Sequence, residues 1–470
     1  MSNSNTSSSI NWSSLYKKED WWALWLGLLF FFLSLPSYYK VSYISGTIGL
    51  LGWIPTGAKW TSITGALAFG GGTANSWAWL GLVATWVFLT VVLVGPMKLV
   101  GVKVKHFIAG FAVIYWIAEF LWVISNYQPV ISAMGSPEVG FVLALVVGII
   151  IGNMPKLPEW LKNSAKGEFF IKTAIVLLGA KILFSTLGTV IVPIIEAALL
   201  SFPLAWIFGY FISRRIGLER KFAVTLASGA GVCGIAACIA TSGAVDAPAI
   251  YPTIISSIIV VFAAVELLVM PYVAHYFFPS NANAAGAWMG LSVKTDGAAA
   301  ASGSVVSGLM GQGPSGTAAT MAATQKVMID IWIGLIAFIL AIVFVYFVER
   351  KQGANGPAGS AAARVSPLII WYRFPKFVLG YIFTSAVLSI IALTYSTVKA
   401  GQAAVAPIAA NGTTPLQVMF FAFTFVAIGI ATRFANLKQV GIGKPALAYV
   451  LTLTFAIIWG GILAWYFFPS

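Results

Sequence analysis

Two stretches of this chain combine residue types that hold small ions with residue types that interrupt helices. They are Ser228-Gly-Ala-Gly-Val-Cys-Gly-Ile-Ala-Ala237 and Gly290-Leu-Ser-Val-Lys-Thr-Asp-Gly-Ala-Ala-Ala-Ala-Ser302, each inside an apolar span. Gly229, Gly231 and Gly234 crowd one short segment, and each glycine costs about 1 kcal/mol relative to alanine in a helix interior. The segment is therefore expected to unwind or bend. Backbone freed at membrane depth persists only where it is buried in protein or lines a wet cavity, so the break marks a solute or ion path. The second stretch sets Lys294 and Asp296 among Gly, Ala, Ser and Trp. An ionisable group at that depth costs about 2.5 to 3.5 kcal/mol, and its default reading is again a path. The bland alternatives are a helix end in the interface, or two charges that neutralise each other.

A broken helix offers free N–H groups and a positive dipole end, worth about 0.3 to 2 kcal/mol to an anion. The candidate substrate ligands are accordingly Gly229, Gly231, Cys233 and Gly234 at the first break, with Ser228, Ser292 and Thr295 as hydroxyl donors and Lys181, Lys294 and Arg433 as cations. Asp296 is the candidate coupling carboxylate, or else the partner of Lys294. Lys181 and Arg433 lie near span ends, where snorkelling to headgroups explains them equally well. Glu119, Glu196 and Glu266 are single acids within spans, as suited to capping or pairing as to moving protons. Cys233 and Cys238 read as small buried thiols. His106 and His275 stand at no metal-type spacing from them, so neither a metal nor a cofactor is expected. An intramembrane enzyme using Cys233 as nucleophile would need a His and acid nearby, and none accompanies it in sequence, so the chain reads as a non-enzyme.

The elements that must position these residues are membrane helices. The chain has 470 residues, 59% hydrophobic and only 9% charged, with a mean hydropathy of +0.92. Soluble domains carry about 25% charged residues. Long apolar runs without period-two alternation exclude a barrel and leave an all-α polytopic membrane protein. The net charge of +14 comes from Lys and Arg dispersed between spans, which encodes topology rather than nucleic-acid binding.

Taking about 18 to 25 apolar residues per crossing, the spans are 21–35, 77–97, 107–124, 138–151, 169–187, 190–212, a broken 222–242, 249–277, a broken 286–309, 327–348, 377–396, 416–434 and 445–467, about thirteen in all. Residues 41–72 are apolar pieces cut by Gly46, Gly49, Pro55, Lys59 and Gly65, consistent with an interfacial or re-entrant segment. Alternate loops hold the Lys and Arg, among them Lys98, Lys103, Lys105, Arg214, Arg215, Arg220 and Lys221, while 125–137 and 243–248 hold none. The expected topology places the N-terminus in the cytoplasm and the C-terminus outside a plasma (inner) membrane. The uncharged 279–285 loop fits that pattern least. Residues 1–20 form a Ser/Asn-rich cytoplasmic tail without a signal-peptide cleavage site. An extension of about three helices follows over 21–137, then two transporter repeats, 138–277 and 286–470, with a flexible cytoplasmic linker at 349–367. Leu178-Gly-Ala-Lys-Ile-Leu-Phe-Ser-Thr-Leu187 is similar to Ile428-Gly-Ile-Ala-Thr-Arg-Phe-Ala-Asn-Leu437, and Cys233-Gly-Ile-Ala-Ala237 to Ile428-Gly-Ile-Ala-Thr432. In either register the paired spans run in opposite directions, as an inverted repeat requires.

The ordered set Gly229 to Ala237, Trp288-Met-Gly-Leu-Ser-Val293, Lys326 and Gly429-Ile-Ala-Thr-Arg-Phe-Ala-Asn-Leu-Lys-Gln-Val-Gly-Ile-Gly-Lys-Pro445 resembles the YeiH-type sulfate exporter family, over roughly the last 330 residues. The resemblance implies a ten-helix inverted-repeat core with crossed, broken helices, related to the cation/proton antiporter and anion transporter folds. It implies secondary transport of a small oxyanion such as sulfate, sulfite or a small sulfonate, by rocking or elevator movement in a lipid bilayer. A homodimer is the assembly that elevator-type relatives suggest. Family members continue the Gly290 motif with a His-Glu pair and a Gln, where this chain has Lys294, Thr295 and Ala298, with Asp296 added. An Arg after Lys326 is replaced by Ile329, with Asp330 beside it. A coupling role for His-Glu therefore does not transfer. The alternative is a sodium- or proton-coupled cation antiporter, with Asp296 holding the cation and Lys294 competing for it.

Overall fold

The computed structural model describes residues 14–38, parts of 51–66, 78–134, 137, 139–181, 190–248, 250–313, 316–344, 376–433 and 443–469. The expected linker 349–367, most of the 41–72 segment and the latter parts of both repeat motifs lie outside the described residues. Within the described residues the protein is helical, and no extended strand is present. The principal helices are α1 (Glu19–Ser34), α2 (Ala78–Leu99), α3 (Val104–Ser125), α4 (Val139–Gly152), α5 (Gly167–Leu178), α6 (Ile191–Arg215), α7 (Arg220–Gly231), α8 (Ile235–Ala244), α9 (Ile250–Phe277), α10 (Ala282–Ser292), α11 (Asp296–Leu309), α12 (Thr317–Val343), α13 (Phe377–Leu393), α14 (Val398–Ile408), α15 (Thr414–Ala431) and α16 (Gly443–Phe467).

Six of the described helices, α2, α3, α6, α9, α15 and α16, are long and apolar enough to cross a membrane. They differ in what they face. The apolar window of α15 is 78% buried, whereas that of α2 is 33% buried; α15 is a central post and α2 a peripheral one.

Small residues set the closest approaches. A Cβ on Gly148 would lie 2.5 Å from the carbonyl oxygen of Val426, and one on Gly429 would lie 2.5 Å from that of Leu145. The backbones of α4 and α15 therefore touch where neither could carry a side chain. The same device joins α10 to α12: a Cβ on Gly290 would stand 2.7 Å from the Ala322 oxygen. Without a hydrophobic drive between helices in lipid, such small-residue packing is what holds them together. Polar pairs tie the first helix on: Glu19 accepts from Lys166 at 2.6 Å and Asp20 from Lys172 at 2.8 Å, joining α1 to α5.

Two expectations about span limits change. The 169–187 span ends as an α-helix at Leu178 and passes into a 3-10 turn, Gly179–Lys181. Residues 397–415, between the expected spans 377–396 and 416–434, hold the amphipathic helix α14 and a π turn at Ala409–Thr413. Thr397 starts α14 by accepting a hydrogen bond from the Ala400 N–H, and Gly401 lets it close onto the Ala392 backbone. Length and composition alone had hidden it, because an eleven-residue helix containing Pro407 is too short and too broken to score as a crossing.

Candidate functional site

Both glycine- and alanine-rich stretches are interrupted helices. The first stops at Gly231 and resumes at Ile235; the second stops at Ser292 and resumes at Asp296. The chemistry of the two interruptions differs. In the first, Gly234 takes φ +73°, a region that costs other residues about 1 to 2 kcal/mol. In the second, Thr295 adopts an extended conformation and its side chain accepts a hydrogen bond from the Ala298 N–H, capping α11.

The interruptions cross. A Cβ on Gly234 would lie 2.8 Å from the Lys294 carbonyl oxygen and 3.4 Å from the Thr295 methyl. Only a residue without a side chain permits that approach. Lys326, on α12, then fastens the two together: its Nζ donates to the Val232 carbonyl at 2.7 Å and to the Val293 carbonyl at 2.9 Å. Those are carbonyls freed where α7 and α10 end. A cation at a helix C-terminus meets both the orphan acceptors and the negative dipole end, and this ammonium does so for two helices at once, at 2% exposure.

Acids gather at the same crossing, one turn along α12 from Lys326. The carboxylates of Asp296 and Asp330 and the thiol of Cys233 lie within 4.8 Å of one another, all buried. Among the described residues, no N–H or O–H of the protein donates to either oxygen of Asp330, nor to Oδ1 of Asp296. Ion pairs among the described residues lie elsewhere, on Lys162, Lys166 and Lys172. The Lys172 and Glu168 pair approaches this centre from α5: Ile171 packs 3.2 Å from where a Gly297 Cβ would stand.

Lys294 is fully buried, but its ammonium turns back to donate to the Leu291 carbonyl at 2.9 Å. Its backbone N–H donates to Glu266 Oε2 at 3.3 Å, leaving Oε1 of that buried carboxylate without a donor. Glu266 thus belongs to the crossing's immediate surroundings rather than to an isolated structural cap.

The sequence-derived candidates divide. Cys233, Gly234, Lys294, Thr295 and Asp296 meet at the crossing. Gly231 packs against Phe202, while Gly229 packs against Ile259 and its carbonyl accepts from the Gly234 N–H at 2.9 Å, at the break itself. The Ser228 hydroxyl accepts from the Trp206 indole at 2.9 Å, and Ser292 lies toward α16, near Gly460. Arg433 lines an open groove of about 430 Å³ with Ile235, Thr253, Ser256 and Ser257. Lys181 ends the 3-10 turn after α5, packed with α13. Asp330 is the residue that the sequence reading mentioned without using. Its spacing from Lys326 places both on one face of α12, and that pairing was the available signal.

The family described as conserved hypothetical protein 698 matches residues 109–448. A UPF0324 membrane protein of Nitrosomonas europaea is 34% identical over 95% of this chain and 94% of its own length. One of Rhodopirellula baltica is 32% identical, over 80% of this chain and 66% of the relative. The UPF0324 inner membrane protein YeiH of Salmonella typhi is 25% identical over 76% of this chain and 93% of its own. No solved structure matches. The match begins inside α3, so the family region reaches further toward the N-terminus than the expected repeat boundary, and the Nitrosomonas relative shares most of the extension before it as well. With its apolar helices, crossed interruptions and these relatives, the chain is a membrane protein that belongs to the UPF0324 family.

Proposed function

We propose that this protein is a secondary active transporter that works by alternating access around the crossing of α7/α8 and α10/α11. The single observation that carries the reading is that crossing: two interrupted helices whose breaks meet, with buried ionisable groups at the freed backbone. A static scaffold would gain nothing from burying Lys326, Lys294, Asp296, Asp330 and Glu266 together, since each costs free energy that apolar packing would not. Non-helical backbone at membrane depth in turn suits a site that exchanges solvent for solute.

In this reading the cargo is a small oxyanion, sulfate, sulfite or a small sulfonate, as the YeiH-type resemblance implies. The N-terminal ends of α8 and α11 supply N–H groups and Lys294 supplies charge. Asp296, joined by Asp330, is the coupling carboxylate. The two interrupted helices belong to opposed five-helix repeats and about thirteen crossings, with the N-terminus cytoplasmic and no catalytic role for Cys233.

A second reading is favoured by the facing carboxylates. Asp296 sits at the start of α11, where an anion would otherwise bind, and with Asp330 it suits a cation or proton better. The protein would then be a sodium- or proton-coupled cation antiporter. Counterflow of labelled sulfate and sulfonate in proteoliposomes, with and without pH and sodium gradients, separates the two. Anion exchange lost in a folded Lys294→Ala variant supports the first. Absence of anion exchange, with a sodium- or proton-linked flux sensitive to Asp296→Asn, replaces it with the second.

A further inference from the structure

Cys233, Asp296 and Asp330 come from three different segments: the first interruption, the first turn of α11 and the middle of α12. Their ligand atoms lie within 4.8 Å of one another. A point central to a triangle with edges that long is about 2.8 Å from each corner, and closing by about half an ångström brings all three within bonding distance of a zinc- or cadmium-sized ion. Asp330 supplies the independent sign of a ligand. It is 1% exposed, no N–H or hydroxyl of the described residues donates to either oxygen, and its polar neighbour is the Asp296 carboxyl, with which it shares either a proton or a cation. A buried carboxylate in that state needs a proton or a cation beside it.

We propose that this cluster is a binding site for a thiophilic divalent metal ion of the zinc and cadmium class, bridging both helix interruptions to α12. Two features select that class. A thiolate among the ligands prefers borderline and soft ions over sodium, magnesium or calcium. Charge gives the second: two carboxylates and a thiolate balance one divalent ion plus the nearby Lys326 ammonium, which is held in place by the Val232 and Val293 carbonyls. On binding, the thiol proton leaves as the sulfur becomes a ligand. Because the three ligands lie on segments that an alternating-access motion would shift relative to one another, the bound ion fixes the crossing. The site itself does not depend on the transport reading.

The test is a cadmium titration of the full-length protein in detergent, following the ultraviolet thiolate-to-cadmium charge-transfer band and the melting temperature. The expected result is one cadmium per chain, displaced by zinc, with a band lost in Cys233→Ser and kept in Cys238→Ser, whose sulfur faces the Pro252 carbonyl instead. Asp330→Asn weakens cadmium binding about tenfold or more. A band that survives Cys233→Ser, or one that depends on Cys238, overturns the proposal. So does an unchanged cadmium affinity in Asp330→Asn, which serves as the check should the cysteine variant not fold. Stabilisation by sodium with no cadmium band shows a monovalent site and also overturns it.

Discussion

The two interruptions reach the same crossing by different chemistry. That of α7/α8 is neutral and conformational: it depends on Gly234 at φ +73° and on side chains being absent. That of α10/α11 is polar and capped: Thr295 accepts from Ala298, Lys294 donates to Leu291, and Asp296 opens the next helix. The first lets two backbones meet and the second brings charge to the meeting point. The two are joined where Lys326 takes a carbonyl from each.

That shared lysine gives the largest expected effect. Lys326→Met strands two buried carbonyls at about 1 to 3 kcal/mol apiece, and should lower the melting temperature of the purified protein more than any other single change at the crossing. A melting temperature like the wild type's would mean that the two breaks are held independently. Gly234→Ala comes next. It places a methyl 2.8 Å from the Lys294 oxygen in a backbone region that costs about 1 to 2 kcal/mol, so it should destabilise the protein and impair any transport. A Gly231→Ala change, whose nearest neighbour is the Phe202 ring at 3.1 Å, should be milder, and the difference measures how much the positive φ matters. Thr295→Val removes the cap from the polar interruption alone, at about 1 kcal/mol. Calorimetry should find it less costly than Gly234→Ala. The smallest effect belongs to Lys181→Gln, outside the crossing, which should leave both melting and flux near wild type.

Much of this was legible in the sequence because helix breaking has a local cause. Three glycines in one apolar segment announce an interruption wherever the chain goes, and Lys294 with Asp296 announced the second. Long-range convergence has no such signature. That Asp330 faces Asp296 follows from how α11 packs on α12 through Gly303 and Ala322, and no local spacing encodes it. The cations show the complementary failure. Lys181, Lys294 and Arg433 are all candidate cations in the sequence, the first and last at span ends, and their surroundings differ: a turn packed on α13, the crossing itself and an open groove. Lys326, quoted only within a motif, proved to be the lysine that touches both breaks. Helix α14 escaped because an eleven-residue helix with a proline lacks the length that a hydropathy reading looks for.

In the proposed mechanism the carboxylates at the crossing couple an ion to movement of the interrupted helices. Proteoliposomes containing wild-type protein or Asp330→Asn, matched for folded protein, test it through one comparison: labelled-anion exchange at equilibrium against accumulation driven by a pH or sodium gradient. Asp330→Asn should keep exchange and lose at least about tenfold of the gradient-driven accumulation, equivalent to about 1.4 kcal/mol of coupling. Accumulation at the wild-type rate in that variant would contradict it.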